Sequence, residues 1–171
     1  MTQLAVVAFP QLSAATTVEA LRERYDPFAG LLAAHVTLVF PFNDEIEVLT
    51  LRRHVEGIAA DAQAFEISLT SLSAQPDGYV FLEVGDGAAG CVALHDQLYA
   101  GLLARHLSSA HAYQPHITIG RLADAALAAA ARDEIQRELS LPILGTIGTL
   151  SIFRLHDAAR GEVAFDIPLR T

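Results

Sequence analysis

Two four-residue segments carry side chains suited to phosphoryl chemistry: His35-Val36-Thr37-Leu38 and His116-Ile117-Thr118-Ile119. Both read histidine, apolar, threonine, apolar, an HxTx pattern. Alternate side chains of an extended strand share a face. His35 and Thr37 therefore point one way while Val36 and Leu38 point into a core, and the second segment repeats the arrangement. If a pseudo-two-fold relates the segments, their polar faces bring two imidazoles and two hydroxyls together across a cleft. Imidazole has an unperturbed pKa of ~6.5, so near neutrality one ring can be neutral and the other protonated. The neutral ring can take a proton from an attacking water or hydroxyl while the protonated ring gives one to the leaving oxygen. A threonine hydroxyl two residues on can donate to a non-bridging phosphate oxygen. These transfers call for no metal and no cofactor. One such tetrapeptide alone reads as an ordinary strand segment; the pair is what points to a site.

The elements that must position these residues can be read from apolar periodicity. Strands are expected over Leu4–Phe9 and over His35–Phe40, the latter closed by Pro41, and at His116–Ile119 and Glu162–Leu169. Phe65–Leu72 and Tyr79–Val84 flank the turn-rich Gln75-Pro76-Asp77-Gly78 and read as a hairpin. Ile143–Leu155 reads as one long strand or two short ones. Helices are expected at Thr16–Tyr25 with Thr16 or Thr17 as N-cap, at Leu49–Ala60, at Val92–Leu107, and at Asp124–Leu139 with Asp124 as N-cap. Short strands alternating with single helices indicate an α+β fold with largely antiparallel sheets. Each HxTx strand falls near the corresponding point of its half of the chain.

Composition narrows the function classes. The chain has 171 residues, 52% of them hydrophobic, and a formal charge of −9. All 11 basic residues are arginine, and lysine is absent. Coating duplex nucleic acid requires many cationic phosphate contacts, which this balance opposes; one phosphate held in a cleft is compatible with it. The longest apolar runs fall well short of the ~18 residues of a membrane helix, and the N-terminus lacks a positive n-region. A single cysteine, Cys91, excludes an internal disulfide and a multi-cysteine zinc site. A cytoplasmic, monomeric protein with a small-molecule or RNA-end substrate is expected.

The motif pair resembles the signature of the 2H phosphoesterases, which include 2′-5′ RNA ligase and cyclic nucleotide phosphodiesterase branches. The opening strand, Phe40-Pro41 after the first motif, Pro115-His116-Ile117-Thr118-Ile119 and the element order are similar too. The resemblance implies one domain over residues 1–171, made of two intertwined lobes, with two mainly antiparallel sheets lining a central cleft and helices outside. It implies hydrolysis or transesterification of 2′,3′-cyclic or 2′-5′ phosphodiesters of nucleotides or RNA ends, with reversible 2′-5′ ligation as an associated activity. By position His35 and His116 become acid and base, in an order left open, and Thr37 and Thr118 the phosphate-binding hydroxyls. Arg121 follows Gly120 where relatives often carry an arginine. Strict alternation from His116 puts it on the opposite face, so it reaches the phosphate only if the strand bends or ends at Gly120. Tyr113 and Phe42 are the candidates to stack on a nucleobase.

Other signals read as structural. Gly85-Asp86-Gly87-Ala88-Ala89-Gly90 matches G-x-G-x-x-G, yet no acidic residue stands between Gln97 and Ala123, where a dinucleotide site would need one. His54, His95, His106, His111 and His156 show no ligand spacing, and most are expected on the surface or on helix faces. Two rivals remain: a non-catalytic nucleotide- or RNA-binding module on the same fold, and a protein-interaction scaffold supported only by the acidic surface.

Overall fold

A computed structural model describes residues 2–43, 46–110, 112–157 and 160–171. In chain order the elements are β1 (Gln3–Ala8), β2 (Gln11–Leu12), α1 (Ala15–Tyr25), β3 (Val36–Phe42), α2 (Val48–Ala59), β4 (Phe65–Ala74) and β5 (Tyr79–Val84). Then come α3 (Ala88–Tyr99), a 3-10 helix (Gly101–His106), β6 (His116–Arg121), α4 (Ala125–Glu138), β7 (Ile143–Ile147), β8 (Thr149–Asp157) and β9 (Arg160–Pro168). The strands form one curled sheet in the order β2-β7-β4-β5-β6-β3-β1-β8-β9, with every neighbouring pair antiparallel. The two expected sheets are thus two halves of a single sheet. They are joined at its centre by β3 and β6, the two motif strands.

Period-2 alternation builds the layering. On β6, Ile117 and Ile119 are fully buried while His116 and Thr118 are half-buried on the other face; on β3, Val36 and Leu38 are buried beside half-buried Thr37. Helices cover the apolar side, α1 and α4 over β4, β5 and β6, α2 and α3 over β3, β8 and β9. From α1 they contribute Val18 and Leu21, from α3 Leu94 and Leu98, from α4 Ile135. Burying each such side chain is worth ~1.5–3 kcal/mol. The small Ala128 and Ala131 let α4 lie close to the sheet.

Several expectations shift. Asp124 caps α4 as expected, its carboxylate accepting from Leu127 N at 2.9 Å. Neither Thr16 nor Thr17 caps α1, which begins at Ala15 with no side-chain cap. Pro41 does not end β3. It sits where the β1–β3 register slips by a residue, and a bulge tolerates a residue without an N–H. The helix read as Val92–Leu107 breaks after Tyr99, because Gly101 adopts a left-handed φ of 67° and a tighter helix follows. The spacing of Leu94, Leu98 and Leu102 runs across this break and hides it. Ile143–Leu155 resolves into two strands.

Candidate active site

The motif strands are direct neighbours, and their ladder is one residue pair long: Val36 opposite Ile117. Continued by one residue each way, that register sets His35 across from Thr118 and Thr37 across from His116. The four polar side chains are all half-buried and share the face turned away from the helices. Both imidazoles are anchored in the same manner. His35 Nδ1 lies 2.8 Å from the Ala33 carbonyl, and His116 Nδ1 lies 2.7 Å from the Gln114 carbonyl. A carbonyl only accepts, so each Nδ1 carries the proton and each Nε2 is the free, basic nitrogen. An aromatic ring flanks each histidine. Phe81 stacks on His116 at 3.6 Å, and Phe9 meets His35 edge-on at 6.2 Å.

Beyond Val36 the strands cease to pair, and side chains take over the backbone groups of β3. The Tyr113 hydroxyl donates to Thr37 O at 2.9 Å, His95 Nδ1 donates to Leu38 O at 2.9 Å, and Phe40 N donates to the Tyr99 hydroxyl at 3.1 Å. Buried backbone polar groups must find partners, and these three side chains satisfy them where β3 no longer pairs with β6. This bears on the two stacking candidates. The Tyr113 ring lies parallel to His95 at 3.8 Å, and Phe42 is buried and stacked on His106 at 4.6 Å. The fold thus covers one face of the Tyr113 ring and buries Phe42. His95 lies on the buried face of α3. His54 is half-buried against Leu98 O, His156 is exposed, and His111 lies outside the described residues.

Arg121 comes to the histidine face through a bulge. Along β5–β6, Phe81 opposes Thr118 while Val80 opposes Gly120, so β6 carries one extra residue between them. An inserted residue reverses the alternation beyond it, and Arg121 joins the side of His116 and Thr118. The burial pattern agrees, with Ile119 and Gly120 both buried and Arg121 partly open. Gly120 suits this corner because a Cβ there would come within 3.2 Å of Tyr25. The Arg121 guanidinium lies between Phe28, at 4.7 Å, and Tyr79, at 5.4 Å. Its Nε approaches Asp26 Oδ1 at 3.2 Å without a well-aligned hydrogen bond. Asp26 is buried and also pairs with the buried Arg22, which Glu19 holds from the other side. Glu19 in turn accepts from Ala34 N, the residue before His35. One helix, α1, therefore braces both the arginine and the first histidine.

The surroundings shape both titrations. Burial, reinforced by Arg22 and Arg121 against the Ala33 carbonyl and Asp26, lowers His35 to about 4. Burial also lowers His116, opposed by the Gln114 carbonyl and by Glu83. Cys91 is buried in the core and its thiol is pushed up to about 11, an environment for an inert side chain rather than a nucleophile. Among the described residues no group of three His, Cys, Asp or Glu converges to hold a metal ion, and no helix is long and apolar enough to cross a membrane. The glycine-rich loop has a structural occupation: a Cβ at Gly85 would meet Thr70 at 2.6 Å, and one at Gly90 the Phe65 ring at 2.8 Å. Phe81, Glu83 and Tyr79 were not singled out from the sequence. Their alternation along β5, which places them on one face, is the signal that could have found them.

Comparison with known proteins gives a consistent result. The family model described as the 2'-5' RNA ligase superfamily matches residues 10–159. "Putative phosphoesterase GK0864" of Geobacillus kaustophilus is 31% identical over 119 residues, covering 68% of this chain and 67% of its own. The crystal structure of Escherichia coli LigT complexed with 3'-AMP aligns with a TM-score of 0.65 and 16% identity over 99% of both chains. That of TT0787 from Thermus thermophilus aligns at 0.68 with 19% identity over 98% of both. At such identities the structural matches speak for the fold.

Proposed function

Because the chain belongs to the 2′-5′ RNA ligase superfamily of 2H phosphoesterases, we propose that it cleaves 2′,3′-cyclic or 2′-5′ phosphodiesters of nucleotides or RNA ends by two-histidine acid–base catalysis, without a metal. The observation that carries this reading is the pair of anchored imidazoles on neighbouring strands, each with Nδ1 held by a backbone carbonyl and Nε2 free to exchange a proton. A diester phosphate between them would have one nitrogen on the side of the attacking oxygen and the other on the side of the leaving oxygen. Thr37 and Thr118 would donate to its non-bridging oxygens, and the terminal nitrogens of Arg121 would meet its charge. In hydrolysis, water oxygen bonds to phosphorus as one ring takes the water proton. The phosphorus–ribose oxygen bond breaks as the other ring protonates that oxygen, and solvent exchange restores both. In ligation a ribose 5′-hydroxyl replaces water: its oxygen bonds to the phosphorus of a 2′,3′-cyclic phosphate as one ring takes its proton, and the phosphorus–3′-oxygen bond breaks as the other ring protonates that oxygen. E. coli LigT, a structural neighbour crystallised with 3'-AMP, is a precedent for a nucleotide ligand on this fold. A chain of charge −9 without lysine favours a nucleotide or one RNA terminus over a long polyanion, and a monomer acting in the cytoplasm suits this reading.

The test is a panel of 2′,3′-cyclic nucleotides and 2′-5′ dinucleotides in chelator, with His35→Ala and His116→Ala as controls. Monoester formation by the wild type and its loss in both variants is expected. Tight binding without turnover would instead support a nucleotide-binding module. Turnover only with an added divalent cation would contradict the mechanism.

A further inference from the structure

Glu83 is the carboxylate that the sheet register sets beside a motif histidine. It stands on β5 opposite His116 on β6, and side chains opposed in antiparallel strands have Cβ atoms ~5 Å apart. Its carboxylate is held from two directions, the Ser73 hydroxyl donating to Oε1 and the Gln114 side-chain amide to Oε2. Gln114 also provides the backbone carbonyl that anchors His116 Nδ1. One residue therefore grips both the imidazole and the carboxylate beside it. The groups that fix Glu83 are neutral, so its charge is oriented but not cancelled by them. Around His35 the balance is reversed, with Arg22 from α1 and Arg121 from β6 facing it against Asp26. Among the described residues, His35 also stands across the short β3–β6 pairing, and Arg121 beyond the bulge on the strand of His116. Phe81, stacked on the ring, is uncharged.

We propose that Glu83 is the positioning residue of the second histidine: its fixed carboxylate favours the imidazolium of His116, which makes His116 the ring that protonates the leaving oxygen. The inference rests on the proton-transfer reading above and settles the order it leaves open. His35 Nε2 takes the proton of the attacking water as oxygen bonds to phosphorus. The phosphorus–ribose oxygen bond breaks, and that oxygen receives the proton of His116 Nε2. Glu83 itself touches neither phosphate nor water. Its part is electrostatic, and the direction of its effect on His116, opposing that of burial, agrees.

Glu83→Gln keeps the shape and the hydrogen-bonding capacity while removing the charge. Two measurements are made on wild type and variant: NMR titration of the two motif histidines without substrate, and the pH dependence of kcat/KM for a 2′,3′-cyclic nucleotide in chelator. The His116 titration should move to lower pH by about half a pH unit or more, with His35 displaced less. The high-pH limb of activity should move the same way, and kcat at neutral pH should fall by more than KM rises. A merely structural role would lower activity at every pH and leave both midpoints in place. An unmoved His116 titration, or a larger shift at His35, overturns the proposal. If the wild type cleaves no diester, the function reading fails while the NMR comparison still decides whether Glu83 governs His116. Should Glu83→Gln not fold, Ser73→Ala, which loosens the same carboxylate, must give a smaller shift in the same direction, and no shift there overturns the proposal.

Discussion

Around His35 and around His116 the backbone does the same thing, and the charges do opposite things. Each ring donates from Nδ1 to the carbonyl two residues upstream, each is flanked by a phenylalanine, and each lies across from the other motif's threonine. Yet Arg22 and Arg121 face His35, whereas Glu83 faces His116. The shared part fixes the tautomer, which either role requires. On the proposed mechanism the unshared part separates the roles, since a base must be neutral and an acid protonated before reaction. In that proposal two copies of one motif become an ordered pair through residues outside the motif.

The comparison is broken most severely by deleting either ring. His35→Ala and His116→Ala should each lose about 10²- to 10⁴-fold in kcat, with circular dichroism unchanged. If one variant keeps near-normal activity, the two sites are not equivalent partners in proton transfer.

Removing one of the unshared charges is the next test. Arg121→Gln should raise KM by roughly 10- to 100-fold, the loss of a charge-assisted hydrogen bond to phosphate. Because a cation beside His35 disfavours its protonation, the same variant should move the low-pH limb upward from about 4. A KM rise without movement of that limb would separate phosphate binding from the tuning of His35.

Smaller effects test the frame. Tyr113→Phe removes the donor to Thr37 O and should cost ~1 kcal/mol in urea unfolding, with a fall in kcat of a few-fold as the first motif loosens. Asp124→Ala removes the α4 cap and should cost about the same, ~1 kcal/mol, while leaving both limbs of the pH profile in place. A limb that moves with Asp124 would mean that global stability, and not local charge, sets these titrations.

What the sequence reveals here follows the range of the interactions involved. The motif strands are legible because burial with period 2 is written into consecutive residues, as in Ile117 and Ile119 against His116 and Thr118. The cap at Asp124 is legible because a cap is local. The position of Arg121 is not, because a bulge reverses the faces without a signature beyond Gly120. Tyr113 reads as an open ring until the fold sets it against His95 and Thr37, both distant in the chain. Glu83 acquires meaning only through the β5–β6 register, and Arg22 only through its ion pairs with Glu19 and Asp26.

The measurement that tests the central claim most directly is the pH profile of kcat/KM for 2′,3′-cyclic nucleotide hydrolysis in chelator. Such a profile reports the groups of the free enzyme. A neutral His35 is required, so activity should fall on the acid side only near pH 4. A protonated His116 is required, and burial lowers that ring, so the other limb should lie below the usual histidine range. The account predicts a bell with its maximum on the acid side of neutrality, unaffected by chelator. A monotonic profile, or activity abolished by chelator, would contradict it.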